Sequence, residues 1–176
     1  MEILRKHEIP FHLTGGVTSA VYGEPRFTQH IDIVLSNSAV RNHRELLLVS
    51  LQDSSFMFDV ESFTNAVENE KMFQLFDIAE SLKMDVYARE LISGELGRSV
   101  KIEIFPNGVL PIFSRADAAS AKLIWIDKGS HKSRKDLRQL MARASTIEQD
   151  QIARFANDSG LADLLKTVLS EVDEIE

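Results

Sequence analysis

The chain has 176 residues, 44% of them hydrophobic, enough for one packed core with a small helical addition. Twenty basic residues stand against 27 acidic ones, and a net charge of −7 speaks against a protein whose whole surface tracks nucleic acid. With no cysteine, the chain has no disulfide framework, thiolate metal site or cysteine nucleophile, and its five histidines lack the regular spacing of a zinc motif.

No apolar run approaches the roughly 18 residues of a membrane span. The opening MEILRKHEIP lacks an apolar stretch ahead of a small-residue cleavage site, so a cytoplasmic protein with no membrane partner is expected.

The first predicted element is a short strand over Pro10 to Thr14, which runs into a glycine pair, Gly15-Gly16, and then a helix over Val17 to Tyr22. Glycines at such a turn let backbone N–H groups and a helix N-terminus approach a phosphate. Ser19 lies in the first turn of that helix. No histidine and acid follow in an arrangement that activates it, so it is read as a hydroxyl for hydrogen bonding and not as a nucleophile.

Ile31 to Leu35 is an apolar strand interrupted by Asp32, a hard oxygen donor suited to a magnesium ion carried by a phosphate. His30, two residues earlier, projects from the same face. It is a ligand or base, the mark of a weakened metal site, or a structural residue. Imidazole suits manganese or zinc better than magnesium.

A helix is expected over Ala39 to Leu51, with Asn37 and Ser38 as caps. Met72 to Asp77 and Leu82 to Ala88 read as a hairpin joined at Ala79 to Ser81. Asp85 interrupts the second of these strands. Buried, it needs a partner such as a cation; on an edge strand it would simply face water. Val100 to Phe105 and Val109 to Phe113 flank the turn Pro106-Asn107-Gly108, and Pro111 is expected on a sheet edge.

Beyond Phe113 no β-rich run remains. Ser114 to Asp117 can cap a helix over Ala116 to Ile126, followed by helices over Ser133 to Ala144, Thr146 to Ala156 with a Ser145/Glu148 capping box, and Leu161 to Val172. Strands first and helices last give an α+β chain. Residues 1–113 form an α/β core, and residues 114–176 form helices packed on it as one compact unit. Trp125 and the phenylalanines are assigned to the core.

The segment KGSHKSRKDLRQLMAR gathers Lys128, His131, Lys132, Arg134, Lys135, Arg138 and Arg143. It reads either as a solvated helix face or as a docking surface for a polyanion such as a triphosphate or RNA.

The order Gly15-Gly16-x-x-Ser19, then Arg26-x-Thr28-x-x-Ile31-Asp32, then Asp85, then Lys122 and Asp136, resembles the nucleotidyltransferase superfamily. The likeness is to small bacterial members akin to AbiEii-type toxins and minimal nucleotidyltransferases, with His30 replacing the first aspartate of Asp-x-Asp. The resemblance implies a mixed sheet flanked by helices with a C-terminal helical part. It implies transfer of a nucleoside monophosphate from a nucleoside triphosphate, ATP above all, to a hydroxyl of protein or RNA, with Mg²⁺ or Mn²⁺.

In that scheme His30, Asp32 and Asp85 hold metal, with Asp32, Asp85, Lys122 and Asp136 as catalytic residues. Gly15, Gly16, Ser19, Arg26 and Thr28 bind the nucleotide, and Lys122 counters phosphate charge. Taken alone, Lys122 also fits a helix surface, Asp136 a cap or an ion pair with Arg134 and Lys135, and Arg26 and Thr28 a turn. The alternative is a catalytically degenerate member that binds or regulates, with a partner protein, in a toxin–antitoxin or phage-defence pair.

Overall fold

The computed structural model describes residues 1–23, 30–106 and 108–171; Arg26, Thr28 and Asn107, and with Asn107 the centre of the expected turn, lie outside them. The chain clusters into two compact units, Met1–Val17 with Phe27–Phe113, and Thr18–Arg26 with Ser114–Glu176.

The first unit is built on a seven-stranded mixed sheet: β1 (Phe11–Thr14), β2 (His30–Leu35), β3 (Phe56–Met57), β4 (Met72–Asp77), β5 (Leu82–Tyr87), β6 (Val100–Phe105) and β7 (Gly108–Ile112). Their order across the sheet is β3-β4-β5-β2-β1-β7-β6. β5 runs parallel to β2, and β7 parallel to β1; the other neighbours are antiparallel.

Period-two alternation sorts the side chains. Ile33 and Leu35 of β2, Met84 and Val86 of β5, and Phe73 and Leu75 of β4 are buried on one face. Leu47 and Leu51 line a small apolar cavity with them. The polar residues of the same strands therefore fall on the opposite face.

Helices α1 (Glu2–Lys6), α3 (Asn37–Asn42), α4 (Arg44–Gln52) and α5 (Val60–Asn69) also belong to this unit. The single helix expected over Ala39 to Leu51 is thus two, parted at His43, whose ring Nδ1 lies 3.0 Å from the Ala39 carbonyl oxygen. The cap of α3 is Ser36, not Asn37 or Ser38. Ser36 Oγ accepts the Ala39 N–H, while Asn37 Nδ2 donates to the Val67 and Ala88 carbonyls.

Pro111 is not on an edge, because β7 lies between β1 and β6. It is tolerated because β1 pairs with β7 at Leu13↔Ile112, one residue beyond the proline, so no full ladder is required there.

In the second unit α6 (Arg115–Asp127) packs against α7 (Lys132–Ala142), α8 (Thr146–Asp158) and α9 (Ala162–Ser170). Its buried alanines, 116, 118, 119 and 121, allow close helix approach. Ser114 caps α6 through the Asp117 N–H, and the Ser145/Glu148 capping box starts α8. Trp125 departs from expectation: it is 39% exposed, with the Lys128 ammonium 5.1 Å above its ring, because Leu123 and Ile126 take the buried positions of α6.

α2 (Gly16–Tyr22) carries the chain from the first unit into the second. No helix among the described residues is long and apolar enough to cross a membrane.

Candidate active site

The parallel pairing of β2 and β5 sets Asp32 directly opposite Asp85, with His30 opposite Lys83 and Val34 opposite Tyr87. Gln74 of β4 lies opposite Asp85 on its other side. His30, Asp32, Gln74, Lys83, Asp85 and Tyr87 therefore share the polar face of the sheet centre. Asp85 is in the sheet interior and buried, which removes the solvent-facing alternative.

The His30 Nε2 atom stands 3.4 Å from Asp32 Oδ2 and 3.8 Å from Asp85 Oδ2. The other Asp85 oxygen, Oδ1, is 3.1 Å from the Lys83 ammonium and accepts a hydrogen bond of 3.0 Å from Gln74 Nε2. Two carboxylates facing each other in a ladder repel, and burial strengthens the repulsion. Lys83 supplies one compensating charge. The side left open to His30 is suited to a second.

Tyr87 hydrogen-bonds Asp32 through its side chain. Burial first, then the negative charges of Asp32 and Asp85, push its phenol up to about 12, so the hydroxyl stays protonated and fixed as a donor.

Gly15 closes the site from β1's end. Its φ is +59°, in the left-handed region, and a Cβ there would stand 2.0 Å from Asp32 Oδ2. Only glycine leaves room for that carboxylate.

One ligand atom from each of His30, Asp32 and Asp85 lies within 4.8 Å of the others. Two carboxylates and an imidazole fit one divalent ion, with manganese favoured over magnesium by the nitrogen donor.

Ser19, Lys122 and Asp136 belong to the second unit. Lys122 Nζ donates to Asp136 Oδ2 at 2.7 Å, and both side chains are largely buried, so Lys122 is no surface residue and Asp136 pairs with it. Ser19 Oγ is buried without a hydrogen-bond partner among the described residues. In the basic segment, Arg134 and Arg138 both bind Glu171, and Arg143 donates to the Tyr22 and Gly23 carbonyls, which favours a structural use of that stretch over a free cationic face.

The sequence reading passed over Lys83, Gln74 and Tyr87. The signal was the two-residue spacing Lys83-x-Asp85-x-Tyr87, which puts three polar groups on one side of a strand. It also missed a fully buried pair, where His12 Nε2 of β1 faces Oε1 of Glu95, a loop residue, at 3.5 Å.

No family model matches the chain, and no curated protein matches it. Solved structures do. The solution structure of the antibiotic-resistance factor ANT(2'')-Ia is matched over 94% of this chain and 92% of that one, at 11% identity and a TM-score of 0.57. The crystal structure of ANT(2'')-Ia in complex with adenylyl-2''-tobramycin is matched over 90% and 93%, at 11% identity and a TM-score of 0.58. A nucleotidyltransferase-like protein from Paracoccidioides brasiliensis is matched over 94% and 88%, at 16% identity and a TM-score of 0.52.

The chain has a nucleotidyltransferase fold. At such identities the likeness carries the fold and no more, and it agrees with the mixed sheet and flanking helices that the motif order implied.

Proposed function

We propose that this nucleotidyltransferase-fold protein transfers a nucleoside monophosphate from a nucleoside triphosphate, ATP in the first instance, to a hydroxyl acceptor. The observation that carries the reading is the ladder pair Asp32↔Asp85, with His30 Nε2 between the two Oδ2 atoms.

His30, Asp32 and Asp85 would hold one divalent cation, Mn²⁺ or Mg²⁺, which when bound supplies positive charge to the phosphate oxygens. The chain's own groups do the rest. Gln74 and Lys83 fix the outer oxygen of Asp85, leaving the inner one directed to the open side of the site. Tyr87 holds Asp32 by a side-chain hydrogen bond, and the missing side chain at Gly15 leaves room for its carboxylate.

In the transfer the acceptor oxygen forms a bond to the α-phosphorus and the bond from that phosphorus to the bridging oxygen breaks. Pyrophosphate leaves with the electron pair, and the hydroxyl proton passes to a base, for which Asp85 is the candidate. Gly16 belongs to the nucleotide-binding turn in this reading; the reading rests on none of Ser19, Arg26, Thr28, Lys122 or Asp136. The acceptor belongs to protein, to RNA or, by analogy with the adenylyl-2''-tobramycin of the ANT(2'')-Ia complex, to a small molecule such as an antibiotic.

Lys83 favours a second reading. Its ammonium already neutralises one carboxylate, and His30 brings no negative charge, so the site holds less charge for metal than a three-carboxylate site. In that reading the chain is a degenerate, AbiEii-like binding or regulatory module that acts with a partner protein.

Titration calorimetry with ATP in Mg²⁺ and then Mn²⁺, beside Asp32→Ala, tests both, followed by transfer of label from α-labelled ATP to each acceptor class. Metal-dependent binding lost in Asp32→Ala, with transfer to any acceptor, supports the enzyme. Binding without transfer supports the module. No binding with either metal overturns the enzyme and leaves a fold retained for interaction with a partner.

A further inference from the structure

β6, VKIEIF, is the last strand of the sheet among the described residues, and one side of its backbone has no neighbouring strand among them. Its partner residues on β7 show which way it faces: Val100 stands opposite Ile112 and Ile102 opposite Leu110. Ile112 and Leu110 are buried, whereas Val100 and Ile104 remain exposed. The apolar face of the sheet thus runs past its cover at this edge. Lys101 and Glu103 point from the other face, alternating with the apolar row.

Long exposed edges with apolar side chains invite another strand. β6 carries one blunting feature, an irregularity in its ladder between Glu103 and Phe105, which leaves the stretch from Val100 to Glu103 regular.

The order of residues on this edge selects its partner. We propose that β6 pairs antiparallel with β6 of a second copy of this chain, across a two-fold axis through Ile102. In that register Ile102 meets Ile102 of the other copy, and each Lys101 meets the other copy's Glu103, all within the regular stretch of the strand.

Other registers fail on physical grounds. A slip of one residue turns the apolar row of one copy to the polar face of the other. A shift of the axis onto Lys101 or onto Glu103 sets like charges opposite each other, which destabilises a ladder. Only the axis at Ile102 gives two opposite-charge pairs with an apolar pair between them. The resulting interface is isologous, as a closed dimer requires.

The test uses the full chain. Sedimentation velocity over a concentration series reaching the millimolar range should show reversible dimerisation. Lys101→Glu alone and Glu103→Lys alone should each weaken it by about tenfold, and the double reversal should restore it, because the opposite-charge pairs then re-form with their signs exchanged.

The absence of native cysteine gives a second arm. Ile102→Cys should cross-link to a covalent dimer on mild oxidation, since directly opposite residues of an antiparallel pair lie within disulfide reach. Ile78→Cys, exposed on another part of the surface, should not. A chain that stays monomeric throughout overturns the proposal. So does a double reversal as weak as the single ones, or equal cross-linking at both cysteines.

Discussion

The carboxylate of Asp32 fills the space that a side chain on Gly15 would take: a Cβ there would lie 2.0 Å from Oδ2. Gly15→Ala therefore meets two obstacles, left-handed backbone and a displaced carboxylate. We expect a loss of about 1–2 kcal/mol in stability from the backbone alone. Manganese binding should be lost with it. Thermal unfolding and calorimetry on the same variant read the two effects separately.

His30→Asp places a third carboxylate beside Asp32 and Asp85. Magnesium affinity should rise by about tenfold, or ~1.4 kcal/mol. In the metal-free protein the same substitution should lower stability, since three like charges then share one face of the sheet. Opposite signs for the two measurements are the expected pattern, and a magnesium affinity that does not move would argue against His30 as a ligand.

Lys83→Gln removes the cation that competes for Asp85. Divalent-ion affinity should increase several-fold, by about 1 kcal/mol, with the gain largest at low ionic strength where the ammonium is least screened. Calorimetry at two salt concentrations checks it.

Tyr87 ties stability to alkaline pH. Its folded-state value is raised from 10 to about 12, so the native state holds its proton more tightly than the unfolded chain does. The contribution is fully present below pH 10 and is lost as pH rises through 12. After allowance for solvent screening it amounts to roughly 1–2 kcal/mol. Urea unfolding at neutral pH and near pH 11.5 should show a larger alkaline loss for the native protein than for Tyr87→Phe.

Breaking the buried His12–Glu95 pair should be costly for a different reason. Glu95 Oε2 also accepts the Ile92 N–H at 2.7 Å, so Glu95→Ala strands a backbone donor in the core and removes the carboxylate that faces His12 Nε2, whose Nδ1 keeps Ser99 Oγ at 2.8 Å. A loss of about 3–5 kcal/mol in denaturant unfolding is expected. A loss below ~1 kcal/mol would mean that the pair contributes little.

The legible parts of this molecule were those with strong local patterns. The alternation in β2 put His30 and Asp32 on one face, and the apolar neighbours of Asp85 marked its strand. Glycine, proline and capping signals gave most element boundaries, including the Ser145/Glu148 box.

What stayed hidden depends on partners distant in sequence. α1 has only five residues, whereas α5, VESFTNAVEN, carried a readable signal that was passed over: Phe63, Ala66 and Val67 at helical spacing behind the Asp59 cap. Lys83 reads as an ordinary polar strand residue until Asp85 and Gln74 surround it. Glu95 reads as a loop acid until β1 brings His12 to it.

The register that joins Asp32 to Asp85 has a kinetic meaning. Because β2 and β5 are parallel, the chain between them must run through α3, α4, α5 and β4 before the two carboxylates meet, and closing such a crossover is slow. A chain still emerging from the ribosome with β2 made but β5 unmade has His30 and Asp32 and no third ligand. A divalent ion would act on the finished sheet, slowing its unfolding far more than it speeds its assembly.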